Sequence, residues 1–128
     1  MTNPTRLSLE ALLQLGDPLD VSDARQASRL LAENRRTAER TYEEAVACAA
    51  EAENIYRKEF AKAFASAEGA ATKREVEAAD NTADFKRDWE IKKGLVKSCL
   101  LRLDGIEGER SLLKSLIDWS SRMEMTSG

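Results

Sequence analysis

The feature that most constrains this chain is where its prolines stop. Pro4 and Pro18 are the only two, so the 110 residues from Leu19 to Gly128 run without a residue that obligatorily breaks a helix. Those residues are rich in alanine, leucine, glutamate, lysine and arginine, the strongest helix formers. Charged residues make up 34% and aromatics only 5%, a balance that fits long, solvated helices rather than a sheet-built core. At 128 residues the natural expectation is one all-α domain.

Spacing divides the chain. Residues 5–15, TRLSLEALLQL, predict a short amphipathic helix with Leu7, Leu12, Leu13 and Leu15 on its apolar side. Gly16, Asp17 and Pro18 end it, which makes residues 1–20 an N-terminal arm. Ser22 or Asp23 can cap the next helix, predicted over about 22–68. Its inner row runs Ala24, Ala27, Leu31, Ala38, Ala45, Cys48, Ala52 and Ile55, with Asn34 and Thr41 at the vacant three- and four-residue steps. After Ile55 the row drifts to Tyr56, Phe60, Phe64 and Ala67. Gly69 supplies the left-handed residue past the helix end, and GAAT at 69–72 forms the turn.

Thr72 with Glu75 reads as a capping box that opens a second helix over about 73–123. Phe85, Trp89, Lys92, Val96, Cys99, Leu103, Ile106, Leu113 and Ile117 follow heptad steps along it, with Arg110 at the empty one. Asn81-Thr82 is a weak helical stretch. Gly105 and Gly108, in LDGIEGER, predict a kink or a third helix near 104–109. From Met123 onward the tail is expected to fray.

Two long helices joined by a short turn lie antiparallel, because neither buries its apolar row alone. Residues 21–125 are therefore expected to form a long coiled-coil-like helical hairpin. A turn at 70–73 sets Ala52 near Trp89, Ala45 by Val96, Tyr42 near Cys99 and Tyr56 against Phe85, which brings small residues against large ones. Leu30, Val46, Leu95, Leu100, Leu101, Leu112, Leu116 and Trp119 stay uncovered on the flanks. The terminal segments or another copy of the chain can cover them, and a dimeric four-helix arrangement or a higher oligomer is the expectation.

Several chemistries lack their residues. Without histidine, Ser/His/Asp and Cys/His arrangements and the commonest metal ligand are missing. Cys48 and Cys99 have no CxxC spacing and read as buried free thiols. DGIEGER lacks the alternating oxygen ligands of a calcium loop. Glu43, Glu44, Glu51 and Glu53 read as a solvated face rather than a carboxylate metal cluster. No cofactor and no enzymatic activity are expected. Net charge is −3, no apolar run is long enough to span a membrane, and no signal-peptide core opens the chain, so a cytoplasmic protein is expected.

The one uneven charge distribution is DFKRDWEIKKGLVKSCLLR, residues 84–102. Lys93 and Lys97 share a face there, with Lys86 and Arg87 nearby and Asp84, Asp88 and Glu90 interspersed. Arg57, Lys58 and Lys62 lie across the expected hairpin. With Tyr56 these residues suit a protein partner or single-stranded DNA, since cations neutralise phosphates and aromatic rings stack bases. The plainer reading has the lysines solvating a helix face and Tyr56, Phe60, Phe85 and Trp89 in the core.

The runs YRKEFAKAFASAEGAATKREVEAA, DFKRDWEIKKGLVKSCLLRL and SLLKSLIDWSSRM share an aromatic-basic pair, spaced alanines, an EG turn and a leucine-rich end. Over about residues 56–123 the chain thereby resembles a group of small, alanine-rich helical proteins encoded by tailed bacteriophages. The resemblance implies an early-expressed accessory protein of DNA recombination or replication, acting in the host bacterial cytoplasm. A binder that inhibits or redirects a host protein is the alternative. No site residue follows from the resemblance.

Overall fold

The structure, a computed structural model, describes residues 21–126, so the expected arm and short helix at residues 1–20 lie outside the described residues. Three helices follow in order: α1 is Val21–Ser66, α2 is Ala71–Asn81 and α3 is Ala83–Thr126. The two long helices pack against each other as a helical hairpin, and the described residues include no strand. Contacts divide the chain into a turn unit, Arg40–Leu100, and an end unit made of the described parts of Met1–Glu39 and Leu101–Gly128.

In the turn unit, α1 closes with Ala67 donating its N–H to the carbonyl of Ala63 at 3.0 Å. Gly69 then reverses the chain at φ 109°, a backbone that costs an L-residue dearly. The expected capping box does not form. Ala70 precedes the first turn of α2 without a side-chain cap, and Thr72 lies inside the helix. Arg74 makes the side-chain contact at this helix start instead. Its Nε and Nη2 donate to the carbonyl of Phe64 at 3.2 and 3.0 Å, and its guanidinium sits 4.6 Å over the Phe64 ring. One side chain thus adds two donors to a carbonyl in the last turn of α1 that otherwise receives the Ala67 N–H at 3.3 Å, and ties the start of α2 to it. Replacing Gly69 by alanine is expected to lower stability by about 1–2 kcal/mol, read as a shifted urea midpoint, because the new Cβ would hold a positive φ and meet Lys73 Cδ at 3.2 Å.

The interruption of the second helix falls at Thr82, not at the glycines. Thr82 is 2% exposed. Its hydroxyl donates to the carbonyl of Ala78 at 2.7 Å, and its N–H is shared between the carbonyls of Ala78 and Ala79. Its backbone at φ −116° and ψ 12° departs from helical ψ, and this one residue separates α2 from α3. Through Gly105 and Gly108, by contrast, α3 is unbroken, and no third helix begins there. Each glycine costs about 1 kcal/mol relative to alanine. Neighbours hold the segment: Ile106 is buried on the inner row, and Glu107 binds Arg35 of α1 at 2.9 Å. Helix α3 also continues past Met123 to Thr126, where fraying was expected.

The core of the end unit is Ala27, Leu31 and Leu113, with Ile117 packed on it. Along α1 in this unit the row Ala24, Ala27, Leu31, Asn34 and Ala38 is inward, as expected. In the turn unit the inward residues are Tyr42, Ala45, Ala49, Ala52 and Tyr56, so Thr41, Cys48 and Ile55 are exposed. The drift of the row therefore falls between Ala38 and Tyr42 and not after Ile55. Two successive four-residue steps there bring a 3.5-residue row back to the 3.6-residue helix. Cys48 is consequently an exposed thiol, against expectation, and Cys99 is half-buried. Tyr56 meets Trp89, one turn from the expected Phe85, which is itself 39% exposed.

Candidate binding surface

Tyr56 reaches the turn unit from the inner row of α1, and Trp89 faces it from α3. Their ring centroids lie 5.6 Å apart at an interplanar angle of 22°, and Phe60 tilts against Tyr56 at 6.0 Å. Lys93, one turn along α3, places its ammonium 3.9 Å over the Trp89 ring. The indole is thus faced by the phenol and by the cation. The other cations expected here meet different fates. Arg57 is tied to Glu53 at 2.9 Å, and Lys62 pairs with Glu59 at 3.6 Å. Lys58, Lys86, Arg87 and Lys97 are exposed. Structure therefore joins Tyr56 and Lys93 through Trp89 and leaves the rest on solvated helix faces.

Lys92, on the inner row, donates to Asp88 Oδ2 at 3.0 Å. That hydrogen bond and the charge of Asp88 hold its ammonium above the ordinary lysine value, with smaller help from Cys48 and Glu51 and against the effect of burial. Among the described residues no group of three or more His, Cys, Asp or Glu side chains is placed to hold a metal ion, and no helix is long and apolar enough to cross a membrane.

A second charged surface lies in the end unit, where sequence reading did not look. Between residues 21 and 40 α1 carries five arginines and no lysine. An open groove of about 510 Å³ runs between α1 and α3, bordered by the cations Arg35, Arg36, Arg110 and Lys114 over a floor of Ala32 and Leu113. Glu39 is the one carboxylate on this groove, and it is bound to Arg35 at 2.9 Å. Glu107, below it, holds Arg35 at 2.9 Å and Arg110 at 3.7 Å. Arg36 and Lys114 form no ion pair with another described residue. A neighbouring cleft of about 370 Å³ shares Ser28 and Ile117 with the groove and adds Val21, Arg25 and Arg29. The signal was present in the sequence as an arginine-only run, five arginines against Asp23, Glu33 and Glu39. Only the fold shows that Glu39 is spent on Arg35.

Compared with protein-family models, with curated proteins and with solved structures, the chain finds no match in any of the three.

Proposed function

We propose that this chain is a non-enzymatic helical interaction module, which self-associates and docks a protein partner on the outer faces of its hairpin. The observation that carries the reading is the state of its apolar side chains. Among the described residues no large side chain is fully buried. In the end unit Leu112, Leu116, Trp119 and Met123 follow one another at four- and three-residue steps along α3, and Trp119 is 46% exposed. A stripe at that spacing is a helix-docking seam, and each Å² of it removed from water contributes about 25 cal/mol. Patches of this kind mark interaction sites in stable proteins.

A protein partner is favoured over single-stranded DNA by the aromatic geometry. Tyr56 and Trp89 stack on each other and Lys93 lies over the indole, so these ring contacts would have to be given up for a base to stack there. The resemblance to tailed-phage proteins supports an accessory place in phage DNA recombination or replication. Light scattering on the purified protein at tens of micromolar is expected to give the mass of a dimer or larger. A single-chain mass overturns self-association. Tight, salt-sensitive retention of a labelled oligonucleotide would move the reading to nucleic acid.

A further inference from the structure

The groove of the end unit is charged in a way its own residues do not resolve. Arg36 on α1 and Lys114 on α3 border the same groove, and Arg25 and Arg29 line the cleft that continues it. Like charges across a groove repel unless something anionic lies between them. The lone carboxylate at the groove, Glu39, is already bound. The floor of Ala32, Leu113 and Ile117 is small and apolar, which suits a helix rather than a bare phosphate chain.

The same chain carries a segment of the complementary chemistry. In the turn unit α1 reads EEAVACAAEAEN over residues 43–54, and Glu43, Glu44 and Glu51 are exposed. Ala47 and Ala50 are exposed beside them, small enough to let another helix approach closely. Arg29 and Arg36 are seven residues apart, as are Glu44 and Glu51, so both pairs repeat at about 10.5 Å along a helix.

We infer that the groove receives a second copy of the chain, with the acidic 43–54 segment of one α1 lying along Arg29, Arg36 and Lys114 of the other. The inference rests on the self-associating module proposed above and names the surfaces that meet. Run antiparallel, one helix sets Arg36 against Glu44 of the second copy and Arg29 against Glu51. Arginine is suited to this role, because its planar fork binds a carboxylate through two donors. The alanines and the apolar floor carry the burial, and the charges set direction and register.

Charge swapping tests it. Sedimentation or light scattering would compare the wild-type chain with Arg29→Glu/Arg36→Glu, with Glu44→Arg/Glu51→Arg, and with all four changes together. Each double variant is expected to weaken association about 100-fold, since like charges then face each other, and the combined variant is expected to recover it. Recovery also excludes misfolding as the cause of the losses. An oligomer whose mass is indifferent to both double variants overturns this interface while leaving the module reading in place. So does loss without recovery. A monomeric wild-type protein overturns both.

Discussion

Replacing Leu113 by alanine is expected to lower the unfolding free energy by about 3 kcal/mol, among the largest effects available in this chain. Leu113 is 3% exposed and completes the small core with Ala27 and Leu31. Both partners are on α1, so truncation removes burial and leaves a gap that alanine at position 27 cannot fill. Its chain neighbour Leu112 is 42% exposed, and Leu112→Ala is expected to change monomer stability by less than about 0.5 kcal/mol. Urea unfolding followed by helical circular dichroism checks both. It must be run at one protein concentration, because association contributes to apparent stability. Equal effects of the two substitutions would mean that the inner row of α3 is misassigned.

Trp89→Ala comes next, at about 2–3 kcal/mol. A fully buried tryptophan costs about 3–5 kcal/mol when truncated to alanine, and this one is half-buried. The loss has two parts that differ in kind. The stack on Tyr56 is apolar, whereas the contact with Lys93 is a cation over a ring, worth about 0.5–1 kcal/mol at an exposed site. Lys93→Ala in the wild-type background is expected to cost that smaller amount, and almost nothing once Trp89 is gone. Additive losses in the double variant would show that the ammonium does not engage the ring.

Much of the fold was legible because large side chains fall on the heptad steps of α3. Phe85, Trp89, Lys92, Val96, Cys99, Leu103, Ile106, Leu113 and Ile117 read as one inner row, and all but the exposed Phe85 are buried or half-buried. Helix α1 was harder. From Ala45 to Ala52 alanine falls on every side, so size and polarity carry no contrast between inside and outside. The row had already drifted between Ala38 and Tyr42, and nothing in this alanine stretch separates the inward Ala49 from the exposed Cys48. The interruption of the second helix was misplaced for another reason. Intrinsic propensity penalises Gly105 and Gly108, but cross-helix contacts at Ile106 and Glu107 outweigh it, and the weak stretch that broke was Asn81-Thr82. Arg74 was invisible because its partner Phe64 is brought near only by the chain reversal at Gly69.

The candidate surface was legible in kind but not in place. Reading cations beside aromatics pointed to Tyr56 and Lys93, and the fold does bring both to Trp89. It does so as internal packing, since the rings face each other. The arginine run of α1 is a net +2 over residues 21–40, and only the fold sets its Arg36 on one groove with Lys114 of α3.

The joint at Thr82 constrains how the hairpin can move. A gap between two helices is commonly a swivel, where water enters and the segments change angle. Here the hydroxyl and the amide are both bonded inward, and no buried side-chain polar atom in the described residues is left without a partner. Opening the joint would expose backbone groups and lose those bonds at once. The Thr82 carbonyl also accepts the Lys86 N–H of α3 at 3.1 Å, so the residue is bonded to both helices and a change of angle at this joint would break bonds on one side or the other.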